Sequence, residues 1–155
     1  MAGVAMLAAI MFAASLAATP EPGRLDDERT VLWTAIDDLR RSIALYQAAL
    51  AIERWQPFPR VLRSKRRQLR RLVKLSVARG HGDPPVLWDP ATVASPPERT
   101  AACARAVDQE LRNAAIYETA LAQGSSAAVE RKLRAMHRRV REHHIVAFEV
   151  CVRHG

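Results

Sequence analysis

Glu110, His137, His143 and His144 are the residues of this 155-residue chain best suited to metal or acid–base chemistry. His137 and His144 lie seven residues apart, so on a helix they share a face, with His143 adjacent. With Glu110 opposite, Glu110, His144 and His137 could hold one zinc or copper ion, since both accept imidazole and carboxylate donors. The simpler alternative is one core-facing histidine with a hydrogen bond and two solvated ones, because three strong ligands do not converge at any standard metal spacing. Sulfur is confined to Cys103 and Cys151 among the cysteines. Two cysteines exclude a four-cysteine zinc site and a disulfide-dense scaffold, and the absence of a Cys-x-x-Cys spacing argues against a redox pair. The chain has no Gly-rich phosphate loop, no Gly-x-Ser-x-Gly elbow and no His-Glu-x-x-His pair.

Charge is the other chemical resource. Lys and Arg number 24 against 16 Asp and Glu, a formal +8. The surplus is local: Arg60 to Arg79 holds nine bases and no acid, and Arg131 to Arg141 holds six more and no acid. The remaining nine bases face all sixteen acids, so the rest of the chain is net acidic. Arg63, Arg66, Arg67, Arg70, Arg71, Lys74, Arg134 and Arg138 would form a basic face. Such a face attracts an anionic polymer or an anionic membrane surface, or it is merely a solvated Arg-rich side. No DNA-recognition motif accompanies it, and Trp33, Trp55 and Trp88 are too scattered to stack bases. Trp55 and Trp88 read better as plugs at helix ends or under a connection.

Helices must position these groups. Apolar residues are 49%, charged 26% and aromatic only 5%, with Ala, Leu and Arg dominant. That composition fits one soluble all-α domain with a modest core. The first helix is expected over 26–54, where Leu32, Ile36, Leu39, Ile43, Tyr46 and Leu50 step 4, 3, 4, 3, 4. Asp26, Asp27 and Glu28 would suit its positive N-terminal end. A second helix is expected over 59–79, its apolar stripe interrupted by Lys65 and Ser76, and Gly80 is a natural stop. A third over 98–123 carries Cys103, Val107, Glu110, Ala114, Tyr117 and Leu121 at the same steps. A fourth over 127–152 comes after the Gly124-Ser125-Ser126 turn. Short links make helices one and two, and three and four, antiparallel neighbours. The Pro-rich segment 80–97 could run back along a helix about 30 Å long. This is a four-helix bundle of two antiparallel hairpins joined by a long crossover. If helices three and four are neighbours, Cys103 and Cys151 meet at one end, and a disulfide of roughly 3–4 kcal/mol is expected.

Four pieces of sequence resemble a bacterial ferritin-like domain family of unknown function, the DUF2202 type. They are Ala35-Ile36-Asp37-Asp38 with Tyr46; Pro57-Phe58; Val107 to Asn113 with Tyr117; and His144 to Glu149 before Cys151. The resemblance implies a di-metal carboxylate centre, with inward Glu residues on two helices and Glu-x-x-His pairs on the other two. Carried over position by position, these ligands fall on Leu39 (with Asp38 one residue away), Lys65 and Gln68, Glu110, and Arg141 and His144. Only Glu110 and His144 retain ligand chemistry. Two iron ions need several anionic oxygens, and Lys65 and Arg141 would add repulsion instead. A ferroxidase is therefore not expected, nor a resident cofactor; iron, manganese or zinc would be the ions of any residual site. Glu110 either pairs internally with Lys65 or Arg141, or these cations snorkel out and leave Glu110 half-buried.

Residues 1–17 read as a signal peptide: no charge, an Ala-, Met- and Leu-rich stretch, then Ser15-Leu16-Ala17. Residues 18–25 would be a flexible mature N-terminus and 26–155 the bundle. The expected location is periplasmic or secreted, with an uncleaved membrane anchor as the alternative. The functional expectation is a ferritin-like binding or structural module that has lost di-metal catalysis, with self-association open. The alternatives are a metal-binding protein or oxidoreductase with a reduced site around Glu110 and His144, and a polyanion-binding protein.

Overall fold

The computed structural model describes residues 22–155. The signal-peptide reading of 1–17, and residues 18–21, lie outside the described residues. Helix α1 spans Pro22–Ile52, α2 Phe58–Ala78, α3 Arg99–Gln123, α4 Ala127–Arg139 and α5 Val146–Arg153. A π-helical segment, Val140–Ile145, joins α4 to α5 without a break. One 3-10 turn, Pro90–Thr92, sits in the long connection, and no strand occurs among the described residues. No helix among them is long and apolar enough to cross a membrane.

The helix limits have local causes. Pro57 stands at the N-terminal cap of α2 and Pro59 occupies its first turn, where a missing N–H costs nothing. Gly80, at φ 81°, takes the left-handed turn that ends α2, and Gly124, at φ 75° and ψ 146°, caps α3 in an extended positive-φ conformation that favours glycine. α1 begins at Pro22, not near Asp26. The flexible stretch expected over 18–25 is therefore helical from residue 22. Asp26, Asp27 and Glu28 accordingly lie past the first turn, and Glu28 is buried by tertiary contacts instead of capping the helix.

Two apolar clusters stack along the helices. One takes Val31, Leu32, Ile36 and Leu39 from the start of α1, Leu72 from the end of α2, Tyr117 from the end of α3, and Leu133 and Met136 from α4. The other takes Tyr46 and Ala49, Phe58 and Val61, Cys103 and Ala106, and Phe148 and Cys151 from the opposite helix ends. α1 and α2 thus run antiparallel, as do α3 and the α4–α5 stretch. α1 also packs on α3, and α2 touches α4. In the second cluster Tyr46, Phe58 and Phe148 meet with ring centroids 4.9–5.7 Å apart. The Cys103–Cys151 disulfide closes beside them, with Cα atoms 6.0 Å apart.

The connection from α2 to α3 runs along α1. Trp33 Nε1 donates to the His81 carbonyl, and Arg40 reaches the Pro84 carbonyl and Asp83. Trp88 Nε1 donates to Asp37, while the Arg41 guanidinium stacks 4.6 Å from its ring centroid. Val93 then joins the second cluster, which Trp55 also covers. Trp88 and Trp55 therefore do plug a connection and a helix end.

Candidate functional site

Between the two apolar clusters lies a layer of buried polar side chains. Glu110 and Lys65 are its centre: both are 0% exposed, and Lys65 Nζ stands 2.7 Å from Glu110 Oε2. Each comes from the inward stripe of its helix, the same stripe that supplies apolar core residues a turn away. A buried ionised carboxylate requires compensation by charge and hydrogen bonds. Glu110 has both: Tyr46 donates to Oε1, and His144 Nδ1 lies 3.2 Å from Oε2. Burial alone would push the Glu110 carboxyl up, but the Lys65 ammonium and the His144 contact outweigh it and hold it below the ordinary range. Burial, then the neighbouring Glu110 charge, pushes the Tyr46 phenol well above its usual value. Burial depresses His144 against the raising effect of Glu110, with Lys65 and Arg139 adding to the depression.

The layer extends both ways. Lys65 Nζ also donates to Asn113 Oδ1, and Asn113 Nδ2 donates to Asp38 Oδ2, each at 2.8 Å. Asp38 further accepts from Gln109 and from the exposed Arg112. Burial nonetheless raises the Asp38 carboxyl, because its partners only partly replace water. On the other side His144 Nε2 lies 3.0 Å from Ser64 Oγ. With an ionised Glu110 accepting from Nδ1–H, Nε2 is the bare nitrogen and accepts from the Ser64 hydroxyl. Ser64, His144 and Glu110 stand in the order of an acyl-transfer triad. However, Ser64 is mid-helix, so its amide serves the helix and makes no oxyanion hole, and Lys65 already neutralises Glu110.

The expected ligand positions separate clearly. Lys65, Gln68, Glu110 and His144 are buried, and Leu39 is plain core, while its neighbour Asp38 turns into the polar layer. Arg141 is exposed, so of the two pairings open in sequence Lys65 is the one that forms. His137 does not join Glu110 and His144; it pairs with Glu118 on the surface at 2.8 Å. The cause is the π segment. Its extra residue in the turn rotates the downstream helix by about 100°, so a seven-residue spacing no longer means a shared face. Among the described residues no three His, Cys, Asp or Glu side chains gather to hold a metal. The donor set does not fit a di-metal centre: one carboxylate at the centre carries a lysine, and the other is saturated by amide and guanidinium donors.

The eight residues of the expected basic face are Arg63, Arg66, Arg67, Arg70, Arg71, Lys74, Arg134 and Arg138. They lie at the surface of α2 and α4, all exposed. They do not form one flat side. Arg63 and Arg66 border a recess with Leu50 and Arg54 toward α1, whereas Arg67 looks toward α4 with Arg60 and Arg139. Arg134 pairs within its helix to Glu130 at 3.6 Å.

One buried acid escaped the sequence reasoning. Glu28, 3% exposed, accepts from Arg79 at 2.7 Å and from the Ser126 amide at 2.9 Å, with His81 at 3.2 Å. It ties α1 to the end of α2 and to the α3–α4 turn. Burial would raise its carboxyl, but these hydrogen bonds bring it down from 4.5 to about 2. Fold and site together define an all-helical, disulfide-bonded protein with a buried ion-pair network at mid-height. No family model, no curated protein and no solved structure matches the chain.

Proposed function

We propose that this chain is a ferritin-like four-helix bundle, two antiparallel hairpins joined by a long crossover, whose central metal centre has been replaced by an internal salt bridge. In this reading it serves outside the cytoplasm as a binding or structural module and not as an oxidase. The observation that carries the reading is Lys65 Nζ at 2.7 Å from a fully buried Glu110. An ammonium there supplies the positive charge that a metal would otherwise bring, at the depth where the resembling family holds its ions. The disulfide supports an oxidising compartment. Anaerobic titration of the purified chain with ferrous iron, manganese and zinc tests it. The expected result is no stoichiometric binding and no rise in melting temperature; two tightly bound ions per chain would overturn it.

A second reading has its own observation. Both basic runs lie on helices that touch, α2 and α4, with their arginines at the surface. That arrangement favours a polyanionic partner through many weak, salt-sensitive contacts. Retention on a sulfated-polysaccharide column that falls steeply with salt is expected, and passage unretained at low salt would reject it.

A further inference from the structure

We propose that the recess between α2 and the π segment is a binding site for a phosphate group, free or as the end of a phosphomonoester. The recess holds about 230 Å³, and its polar lining is Arg60, Ser64, Arg67, Arg139, His143 and His144. Arg60, Ser64 and Arg67 step 4 and 3 along α2, so one helical stripe faces the opening. Arg139 and His143 approach from the other wall, where α4 passes into the π segment. Single π turns within α-helices recur at functional sites, and this one carries His143 and His144. His144 is buried at the floor while His143 is exposed at the mouth.

The electrostatics are one-signed. Among the described residues no carboxylate lines the recess. Arg60, Arg67 and Arg139 make no ion pair among the described residues. Glu142 is the acid nearest in sequence, and it borders the neighbouring recess, which shares Arg60 and His143. Glu110 lies beneath His144 and is matched by Lys65. Three arginines line one concavity, and their like charges repel each other until an anion enters. Their planar forks pair two-to-two with the oxygens of a tetrahedral phosphate. Ser64 completes the floor: its hydroxyl, 3.0 Å from His144 Nε2, can turn to donate to an anion oxygen instead. The volume admits a phosphate with a short ester arm. The site draws Arg60, Arg67 and Arg139 from the same two basic runs as the polyanion reading, and it does not depend on the loss of a metal centre.

Calorimetric titration of the full chain with inorganic phosphate, and separately with glycerol 1-phosphate, tests the site. Saturable one-to-one binding is expected. The double variant Arg67→Ala/Arg139→Ala should weaken it at least about tenfold. Arg63→Ala/Arg66→Ala removes the same charge from outside the recess and should change it by less than about twofold. Arg67→Lys/Arg139→Lys keeps the charge and any fold that depends on it, yet should still weaken binding, because an ammonium lacks the fork. Tighter binding of the ester marks a phosphomonoester as the occupant, and tighter binding of phosphate marks the free ion; either supports the site. Absence of saturation, or equal weakening by the two alanine pairs, overturns it. Unchanged polysaccharide retention alongside that result would leave the wider basic face standing and remove only the recess.

Discussion

Glu28 and Glu110 are both buried glutamates that meet a cation at 2.7 Å, and they hold the molecule in different ways. Glu28 sits at one end, where Arg79 is 35% exposed and water screens part of the pair. Its partners are a guanidinium and an imidazole from the end of α2 and a backbone amide from the α3–α4 turn, so it fastens two connections to a helix. Glu110 sits between the two apolar clusters and meets only side chains that are themselves buried: Lys65, Tyr46 and His144. The difference is depth. An end clasp can lose one partner and let water in. A central pair cannot, because the stranded charge has only apolar surroundings and a few neutral dipoles.

The largest effect should therefore come from breaking the central pair on one side. Lys65→Ala leaves Glu110 charged and unpaired and should cost about 3–5 kcal/mol in denaturant unfolding. A loss below about 1 kcal/mol would mean that water reaches the centre. Removing the disulfide with Cys103→Ala/Cys151→Ala should cost about 4 kcal/mol, because it frees a 48-residue separation in the unfolded chain. Thermal melts of the oxidised and reduced wild type check the same value. Next comes the end clasp. Glu28→Gln should cost about 1–2 kcal/mol, because Arg79, 35% exposed, can turn to water when it loses the carboxylate.

Glu28 also has a pH signature. Its carboxyl is lower when folded, about 2, than its ordinary 4.5, so its stabilisation is complete above pH 4.5 and disappears as pH falls toward 2. Unfolding free energy measured across that window should slope less in Glu28→Gln than in wild type; identical slopes would show that Glu28 is not a clasp. The smallest effect belongs to Arg112, 64% exposed at the outer end of the Asp38 network. Arg112→Ala should change stability by less than about 1 kcal/mol.

The contrast between the two acids also shows what the sequence could disclose. The helical stripes of α1 and α3 were readable because their inward residues recur every third or fourth position over five steps. The disulfide came from helix direction alone. Lys65 and Ser76 interrupted the α2 stripe, and both proved to be buried members of it: Lys65 on Glu110, Ser76 on the Gly82 carbonyl. An interruption in a clean stripe was thus the signal for the polar layer. The π segment had no such signal. Val140, His144 and Phe148 face inward at ordinary i, i+4 spacing, and no residue type there demands the π turn. The insertion falls between His137 and His144, so their seven-residue spacing no longer gives a shared face. Glu28 was hidden for another reason. Its partners lie 51, 53 and 98 residues away, so nothing local distinguishes it from a solvated acid.

A double-mutant cycle in the presence of a chelator asks whether a lysine carries the positive charge at the centre. Lys65→Met and Glu110→Gln each strand one charge, while the double variant strands none and keeps an acceptor for Tyr46. Denaturant unfolding should show wild-type stability unaffected by the chelator. Each single variant should be about 3–5 kcal/mol weaker, and the double should recover at least about half of the larger loss. Additive losses, or a wild type that weakens when metal is withdrawn, would contradict the proposed role of the Lys65–Glu110 pair in place of a metal.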